Sequence, residues 1–440
     1  MFRRFTGLGA GYWKLLAATG FSGLGDGVSL IAYPWLASTL TKNPVLIAIF
    51  PFAVQLPWLL GSLPAGALVD RLDRRVVMVA MDVGRMAVAA VVGVTVLTDT
   101  VTIPLLFLLA LLTGTGNVLF ETASQTILPS IVAKDRLQRA NGTLWTMQWM
   151  VSQFIGPALG GALIGASLAV PFLFDAGSFA ASAALVLLLA GAYRPRRAAA
   201  GSAASAGATD PAAPDAAAPA RTSLRQEIAA GLRWLWRHRL LRTLTLMAAG
   251  SNGAFSMIIV IQVFYAQEVL DLDATGFGIL LSGIAVGGLV GSQLAPDVAA
   301  RIGSGAALRL AMVVGAVCMA GCGVTSNPIL FGVFGAADAF VMMMWNVVAV
   351  SLRQSIIPDG LLGRVNGAYR FFSWGANVVG LPVGGALVAV GTELVGRHTA
   401  LRLPYLVTAG IYLAMLAAAW STISTARVAE AERAAEAGTA

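Results

Sequence analysis

TIPLLFLLALLTGTGNVLFETASQTI, residues 102–127, holds a single charged side chain, Glu121, in 26 residues. As an α-helix it would reach about 39 Å, more than the ~30 Å hydrocarbon core of a bilayer. Eleven further runs of this character lie at 12–39, 45–69, 76–97, 140–165, 168–192, 241–267, 276–299, 306–325, 328–353, 366–390 and 402–423. None alternates apolar and polar residues as the ten-residue spans of a transmembrane barrel do. The pattern predicts an all-α polytopic membrane protein with 12 transmembrane helices.

Composition agrees. Hydrophobic residues make up 58% of the chain and charged residues 11%, roughly half the charged share of soluble domains. A soluble chain of this length would need a charged shell over its cores. The first run lacks a small-residue cleavage site and another span follows at once, so it is expected to remain as a membrane helix. Cys318 and Cys322 share one predicted helix with no His or acid beside them. They read as small thiols between packed helices, with neither a metal site nor a disulfide implied. Arginine outnumbers lysine 26 to 3 in an Ala- and Gly-rich chain, which points to a GC-rich bacterial genome.

The basic residues set the orientation. With an even number of spans, alternate loops share a side. Arg3 and Arg4, Arg71/Arg74/Arg75, Lys134/Arg136/Arg139, the stretch 194–242, Arg301/Arg309, Arg364 and Arg427/Arg433 fall on one side, and the opposite loops carry only Lys42, Arg397 and Arg402. The positive-inside rule then makes both termini cytoplasmic. The net charge of +8 follows from this topology, and no aromatic-basic patch indicates nucleic acid.

Between the sixth and seventh spans the composition changes. Residues 194–221 are low-complexity Ala, Pro and Gly with nothing to bury, a disordered cytoplasmic linker by composition. The segment 222–239 places Leu224, Ile228, Leu232 and Leu235 on one stripe among arginines, as an amphipathic helix at the membrane interface does. Residues 1–193 and 240–425 are expected to form two six-helix bundles, and 426–440 a cytoplasmic tail, helical but frayed. Internal similarity supports the two halves. SQTILPSIVAKDRLQRANG (124–142) resembles RQSIIPDGLLGRVNG (353–367), GPALGGAL (156–163) resembles GLPVGGAL (380–387), and GALVD (66–70) precedes GSQLA (291–295) by 225 residues. Many secondary transporters carry such a duplication, with the substrate site between the repeats.

GALVDRLDRRVVM (66–78) resembles the G-x-L-a-D-r-x-g-r-r signature of the major facilitator superfamily, with Asp73 in place of the second glycine. SQFIGPALGG (152–161) resembles the g-x-x-x-G-P-x-x-G-G signature of its drug:proton antiporters, with Ser152 at the first glycine. GDGVSL (25–30), EIAAGLRWLWRHRLLR (227–242) and LRQSIIPDGLLGRVNGAYR (352–370) resemble the macrolide-efflux and enterobactin-exporter branch. The resemblance covers nearly the whole chain. It implies the major facilitator fold, residence in a bacterial inner membrane, and proton-coupled export of a small amphiphile such as a drug, antibiotic or siderophore-like compound. It also implies a cytoplasmic gate of Gly66, Asp70, Arg71, Arg74 and Arg75, in which the Asp pairs across the halves. A plain positive-inside turn accounts for the arginines alone. In the antiporter motif, Gly156-Pro157 removes a backbone hydrogen bond and bends the helix, and Gly160 and Gly161 permit close packing. The resemblance makes that bend a seal against leakage.

A charge near the bilayer centre costs about 2.5–3.5 kcal/mol even on lenient scales. Asp26 and Asp338 lie at similar depth, and Arg85 and Glu121 form a candidate ion pair, with Asp82 competing for Arg85. Asp175 reads as a helix-end residue near the outer start of the sixth span. Asp26 aligns with Ser251, so the two halves differ in charge. The resemblance places helices one, four, seven and ten around the cavity. Asp26, Glu121 and Asp338 fall on three of these, and Asn252 and Gln262 on the fourth. Low dielectric favours a carboxyl's neutral form, so Asp26 and then Glu121 are the candidate proton carriers. A structural ion pair or polar network is the alternative for each. Trp145, Trp149, Trp345, Met342, Met343 and Met344 are candidates for an adaptable apolar wall or for ordinary helix packing.

The expected partners are a small molecule, protons and the lipid bilayer, with the chain acting as a monomer. No cofactor or metal is expected. A membrane enzyme is disfavoured because His238 and His398, the only histidines, fall in opposite loops and no H-E-x-x-H occurs. ATP-driven transport is disfavoured because no G-x-x-x-x-G-K-[ST] occurs. A non-transporting receptor leaves the duplication unexplained. Proton-coupled import and lysophospholipid transport remain the alternatives within transport.

Overall fold

In lipid an amide without an intrachain partner finds no water, so apolar runs of this length must be helical. The structure, a computed structural model, describes residues 8–69, 71–133, 136–189, 232–357 and 359–436, and every regular element among them is a helix. In the first half these are α1 (Gly9–Leu40), α2 (Pro44–Val69), α3 (Arg74–Leu97), α4 (Ile103–Ile131), α5 (Leu137–Trp149), α6 (Gly156–Ala166) and α7 (Val170–Leu187). In the second they are α8 (Arg239–Glu268), α9 (Ala274–Ile302), α10 (Ser304–Val324), α11 (Pro328–Ile356), α12 (Asp359–Val395), α13 (Arg397–Ala400), α14 (Leu403–Ala419) and α15 (Thr425–Glu436). Eleven described stretches are long and apolar enough to cross a bilayer, and Pro44–Leu60 of α2 is a shorter apolar helix. Together they match the twelve expected spans.

The expected linker 194–221, the beginning of the 222–239 helix and the gate residue Asp70 lie outside the described residues. Residues 232–237 are helical, and Leu235 is buried among Leu240, Leu241 and Leu244. Beyond Thr425 the tail is helical to Glu436 and docked, with Val428 buried against the second bundle and Thr425 over Gly305. Most spans lie within a few residues of their hydropathy limits, and two depart further. Helix α12 starts at Asp359, seven residues before the expected 366, and the fifth span is two helices rather than one.

That fifth span shows its cause locally. Pro157 has no N–H, and its ring would meet the carbonyl four residues back. The preceding residues, Met150–Ile155, widen into a π-helical turn, and Gly156 N–H reaches Val151 O, five residues back. The departure from α-helical pairing therefore lies in the turn that precedes the proline.

Within the first half α1 packs on α6 and α7, and α4 on α2 and α3; within the second α8 packs on α12 and α14, and α11 on α9 and α10. The halves join along two seams, α6 on α9 and α2 on α12. A Cβ on Gly160 would lie 2.8 Å from Val28 O of α1, and one on Gly161 2.4 Å from Ala274 O of α9. Neighbouring glycines of one motif thus serve two interfaces, one within the half and one across it. The duplicated motif repeats the arrangement. A Cβ on Gly384 would meet Met257 O of α8 at 2.4 Å, and one on Gly385 Pro44 O of α2 at 3.1 Å.

Hydrogen bonds across the halves gather at the end away from the termini. Gln267 Nε2 donates to Ser38 Oγ at 2.9 Å, and Arg397 Nη1 to Lys42 O at 3.0 Å. Arg397 is held by a two-pronged ion pair with Glu268, at 2.6 and 2.8 Å. Nearer the middle, Thr275 Oγ1 donates to Gly161 O at 3.3 Å and Ser282 Oγ to Phe154 O at 2.7 Å.

Candidate functional site

Between the halves lies a cavity of about 1540 Å³ that takes its walls from both. Leu30, Tyr33, Trp145, Trp149, Met342, Met343 and Trp345 make much of it apolar, and Asp26, Gln55, Asn117, Asn252, Gln262 and Asp338 add polar groups. The shape fits a small-molecule site, apolar with a few placed polar groups. Met344 is not part of the wall; it is buried in the second bundle's core. One helical step separates it from Met343, enough to turn it away.

The first half's charged residues converge on α1. Asp26 is 33% exposed and lies 3.7 Å from Arg85 Nη1, near enough for attraction without a short hydrogen bond. Arg85 is buried, donates to Asp82, Asn117 and Ser22, and sits between the rings of Phe120 and Phe179 at 4.6 and 4.3 Å. Two aromatic faces and four polar partners hold a cation that an open span would expel. Asp82 is fully buried, and its second oxygen accepts no hydrogen bond among the described residues. The Arg85–Glu121 pair expected from depth does not form. Asp82, one turn from Arg85 on the same helix, takes the guanidinium, while Glu121 faces α5 and accepts from Gln148 Nε2 at 2.8 Å. Asp26, Arg85 and Glu121 still share a side pocket of about 180 Å³.

In the second half, Asp338 lines the cavity but is 4% exposed, and one of its carboxyl oxygens has no partner. Asn252 donates to Ser373 O at 2.9 Å, tying α8 to α12 at the wall. Of the expected gate, Arg71 lies in the turn before α3, and Arg74 and Arg75 open α3. Arg75 donates to Leu187 O within its own half. Asp73, which departs from the family signature, caps α3 by accepting from Arg75 N at 3.0 Å, the usual office of an Asp at a helix start.

Two residues were underrated in the sequence. Asp175, read as a helix-end group, is 2% exposed and accepts from Ser29 Oγ at 2.5 Å. Small residues on α1 let α7 approach and cover it. Their spacing, Gly25 and Ser29 at i and i+4, was the available signal. Arg353 lines the cavity, buried, with its guanidinium 3.3 Å from the Tyr369 ring centre. It had been counted only as the start of a repeated segment.

The fold and the motifs agree with known proteins. The chain is 27% identical to the multidrug efflux pump Tap of Mycolicibacterium fortuitum over 401 residues, 89% of this chain and 92% of that one. It is 27% identical to the Tap pump of Mycobacterium tuberculosis over 415 residues, 90% of each. Among solved structures it superposes on the nucleoside transporter NupG with a TM-score of 0.69 at 13% identity, covering 94% of this chain and 99% of that one. A bacterial homologue of the iron transporter ferroportin, in an inward-facing state, gives a TM-score of 0.67 at 15% identity, covering 92% and 98%. The family model described as Major Facilitator Superfamily matches residues 15–374. With that match spanning most of the chain, this protein belongs to the major facilitator superfamily, a family of membrane transporters.

Proposed function

We propose that the protein exports small amphiphilic molecules across a bacterial inner membrane in exchange for protons, by alternating access of the central cavity. The observation that carries this reading is the cavity itself. It is bounded by both halves, walled by aromatic and methionine side chains, and has a carboxylate from each half, Asp26 and Asp338, at its surface. Methionine and aromatic walls adapt to varied apolar shapes, in keeping with relatives that are multidrug efflux pumps. The seams at the end away from the termini leave this conformation closed there. With the termini cytoplasmic, as the basic loops imply, it is inward-facing and ready to load.

Asp26 carries the proton in this scheme, with Arg85 setting its charge balance. The driving force suffices, since one proton crossing 100 mV supplies about 2.3 kcal/mol, a roughly 50-fold gradient of a neutral substrate. The test is uptake of a fluorescent amphiphile into inverted membrane vesicles energised by an imposed pH gradient. Export by antiport gives uptake that collapses with the gradient and is lost in Asp26→Asn. Gradient-driven release from the vesicles would instead establish import, and transport indifferent to pH would remove proton coupling.

A further inference from the structure

Asp175 plays no part in the scheme above, yet among the described carboxyls of the first half only Asp82 is more enclosed. Its surroundings are built for it. A Cβ on Gly25 would lie 2.1 Å from Asp175 Oδ1 and 2.1 Å from Ser178 Oγ, so any side chain at 25 would displace the acid. Asp175 Oδ2 is 2.5 Å from Ser29 Oγ, and Ser178 Oγ is 3.4 Å from Oδ1. Among the described residues Asp175 has no ion-pair partner. From α3, Arg85 and Asp82 face the same region, but the guanidinium is engaged by Asp82, Asn117 and Ser22. From α1 the groups that face it are Asp26 and Tyr33, and neither supplies a positive charge.

Packing alone asks for none of this. The matching contact in the other half, between α14 and α8, is made by Thr408 Oγ1 donating to Ala254 O at 3.1 Å, and Ala254 stands 225 residues after Ser29. A neutral hydroxyl holds that seam. The first half places a carboxyl where its twin manages without one.

Ser29 gives the carboxyl an outlet. Ser29 and Asp26 both line the central cavity, and they sit at i and i+3 on α1, on one helix face. We propose that Asp175 is a second proton-holding carboxyl of the transport cycle, joined to the cavity through the Ser29 hydroxyl. The inference rests on the proton-coupled reading above. In this state the Ser29 hydroxyl donates to Asp175. The relay begins when that hydroxyl turns toward the cavity, so that the Asp175 proton passes to Ser29 Oγ as the serine's own proton leaves for Asp26 or cavity water, and the reverse sequence reloads the acid. No atom is gained or lost at Ser29. Asp175 packs against Gly25 and Ser29, the α1 positions on either side of Asp26, so the hydroxyl links two carboxyls on neighbouring helices.

The experiment is infrared difference spectroscopy of the purified, reconstituted protein, following the C=O band of protonated carboxyls through a pH step and on transfer to D2O, with proton-driven transport assayed in parallel. In Asp175→Asn one protonated-carboxyl band should vanish while the band removed by Asp26→Asn persists, and each transport cycle should move one proton fewer. Ser29→Ala should shift the Asp175 band upward, as its carbonyl loses a hydrogen bond, and slow its exchange at least tenfold. Ser29→Ala removes only one hydroxyl, so it decides the question even if Asp175→Asn does not fold. A wild-type spectrum whose bands are all unchanged in Asp175→Asn, or a Ser29→Ala band with wild-type position and exchange, would overturn the relay while transport stays proton-driven. Absence of proton-driven transport in the wild type would instead overturn the parent reading.

Discussion

Gly161→Ala tests whether the α6–α9 seam belongs to one conformation. The added Cβ would sit 2.4 Å from Ala274 O and 3.1 Å from the Gly278 Cα. Both obstacles are backbone, so no rotamer change relieves them. Restoring ordinary contact, about 3.4 Å, requires the two helices to part by about 1 Å. Overpacking of this kind costs about 1–3 kcal/mol. If the seam opens when the cavity opens outward, only the present state bears that cost, and the equilibrium moves roughly 5- to 150-fold toward the other state. Spin labels at the exposed positions Thr100 and Leu394, at the seam-bearing end and one in each half, read the change as a longer distance in reconstituted protein. Gly177→Ala is the control, since a Cβ there meets nothing within 4 Å, and it should leave the distances unchanged. Equal distance distributions in Gly161→Ala and wild type, with both proteins folded, would mean that the seam persists in both states and is mere packing.

Other expectations follow from the charge network and the closed end. Arg85→Met strands the fully buried Asp82 and should destabilise the protein by about 3–5 kcal/mol, whereas Arg85→Met with Asp82→Asn should recover most of that, because a buried pair is cheaper to remove whole than by halves; melting temperatures in detergent check this. Arg397→Ala removes both the Glu268 pair and the bond to Lys42 O. It should raise the accessibility of a cysteine at Ser38 to a membrane-impermeant maleimide several-fold while costing only about 1 kcal/mol of stability, because the ion pair is partly exposed. Trp149→Ala enlarges the cavity where Trp149 packs within 3.3 Å of the space over Gly288, and should change which amphiphiles are transported more than how fast the best one moves, as a panel of substrates in the vesicle assay would read.

The parts of this structure that follow one-dimensional rules were open to sequence reading. Span number follows from hydropathy and bilayer thickness. The motif glycines 160 and 161 are legible because close helix approach permits little else, although that they serve two different interfaces is a fact of three dimensions. Arg85 shows where such reading stops. Depth along an axis put Glu121 level with it, but a helix has an azimuth as well as a height, and Asp82 on its own helix pre-empted the cation. Asp175 was misread for a related reason. Its partner Ser29 is 146 residues away, and an acid five residues into a helix looks like an end group until a second helix with Gly25 in its face covers it. The azimuth of Met344 was lost in the same way. The cytoplasmic gate that the resemblance implies turns on Asp70, which falls outside the described residues.

The duplication sharpens what the charges are for. Backbone contacts of the motif glycines recur in the two halves: Gly160 meets Val28 O of α1 and Gly384 meets Met257 O of α8. Against that repeated frame the polar residues do not repeat. Asp26 stands opposite Ser251, whose hydroxyl is buried without a partner, and the Ser29–Asp175 bond stands opposite Thr408 on Ala254 O. A fold that needed these acids for stability would need them twice. In the first half, four acids, Asp26, Asp82, Glu121 and Asp175, share one buried guanidinium, and so many uncompensated charges in a low dielectric are unfavourable. The arrangement is tolerable when some of the acids hold protons. In the proposed scheme those protons come and go with the cavity's two openings, so the charge asymmetry of the halves would serve that cycle rather than the fold.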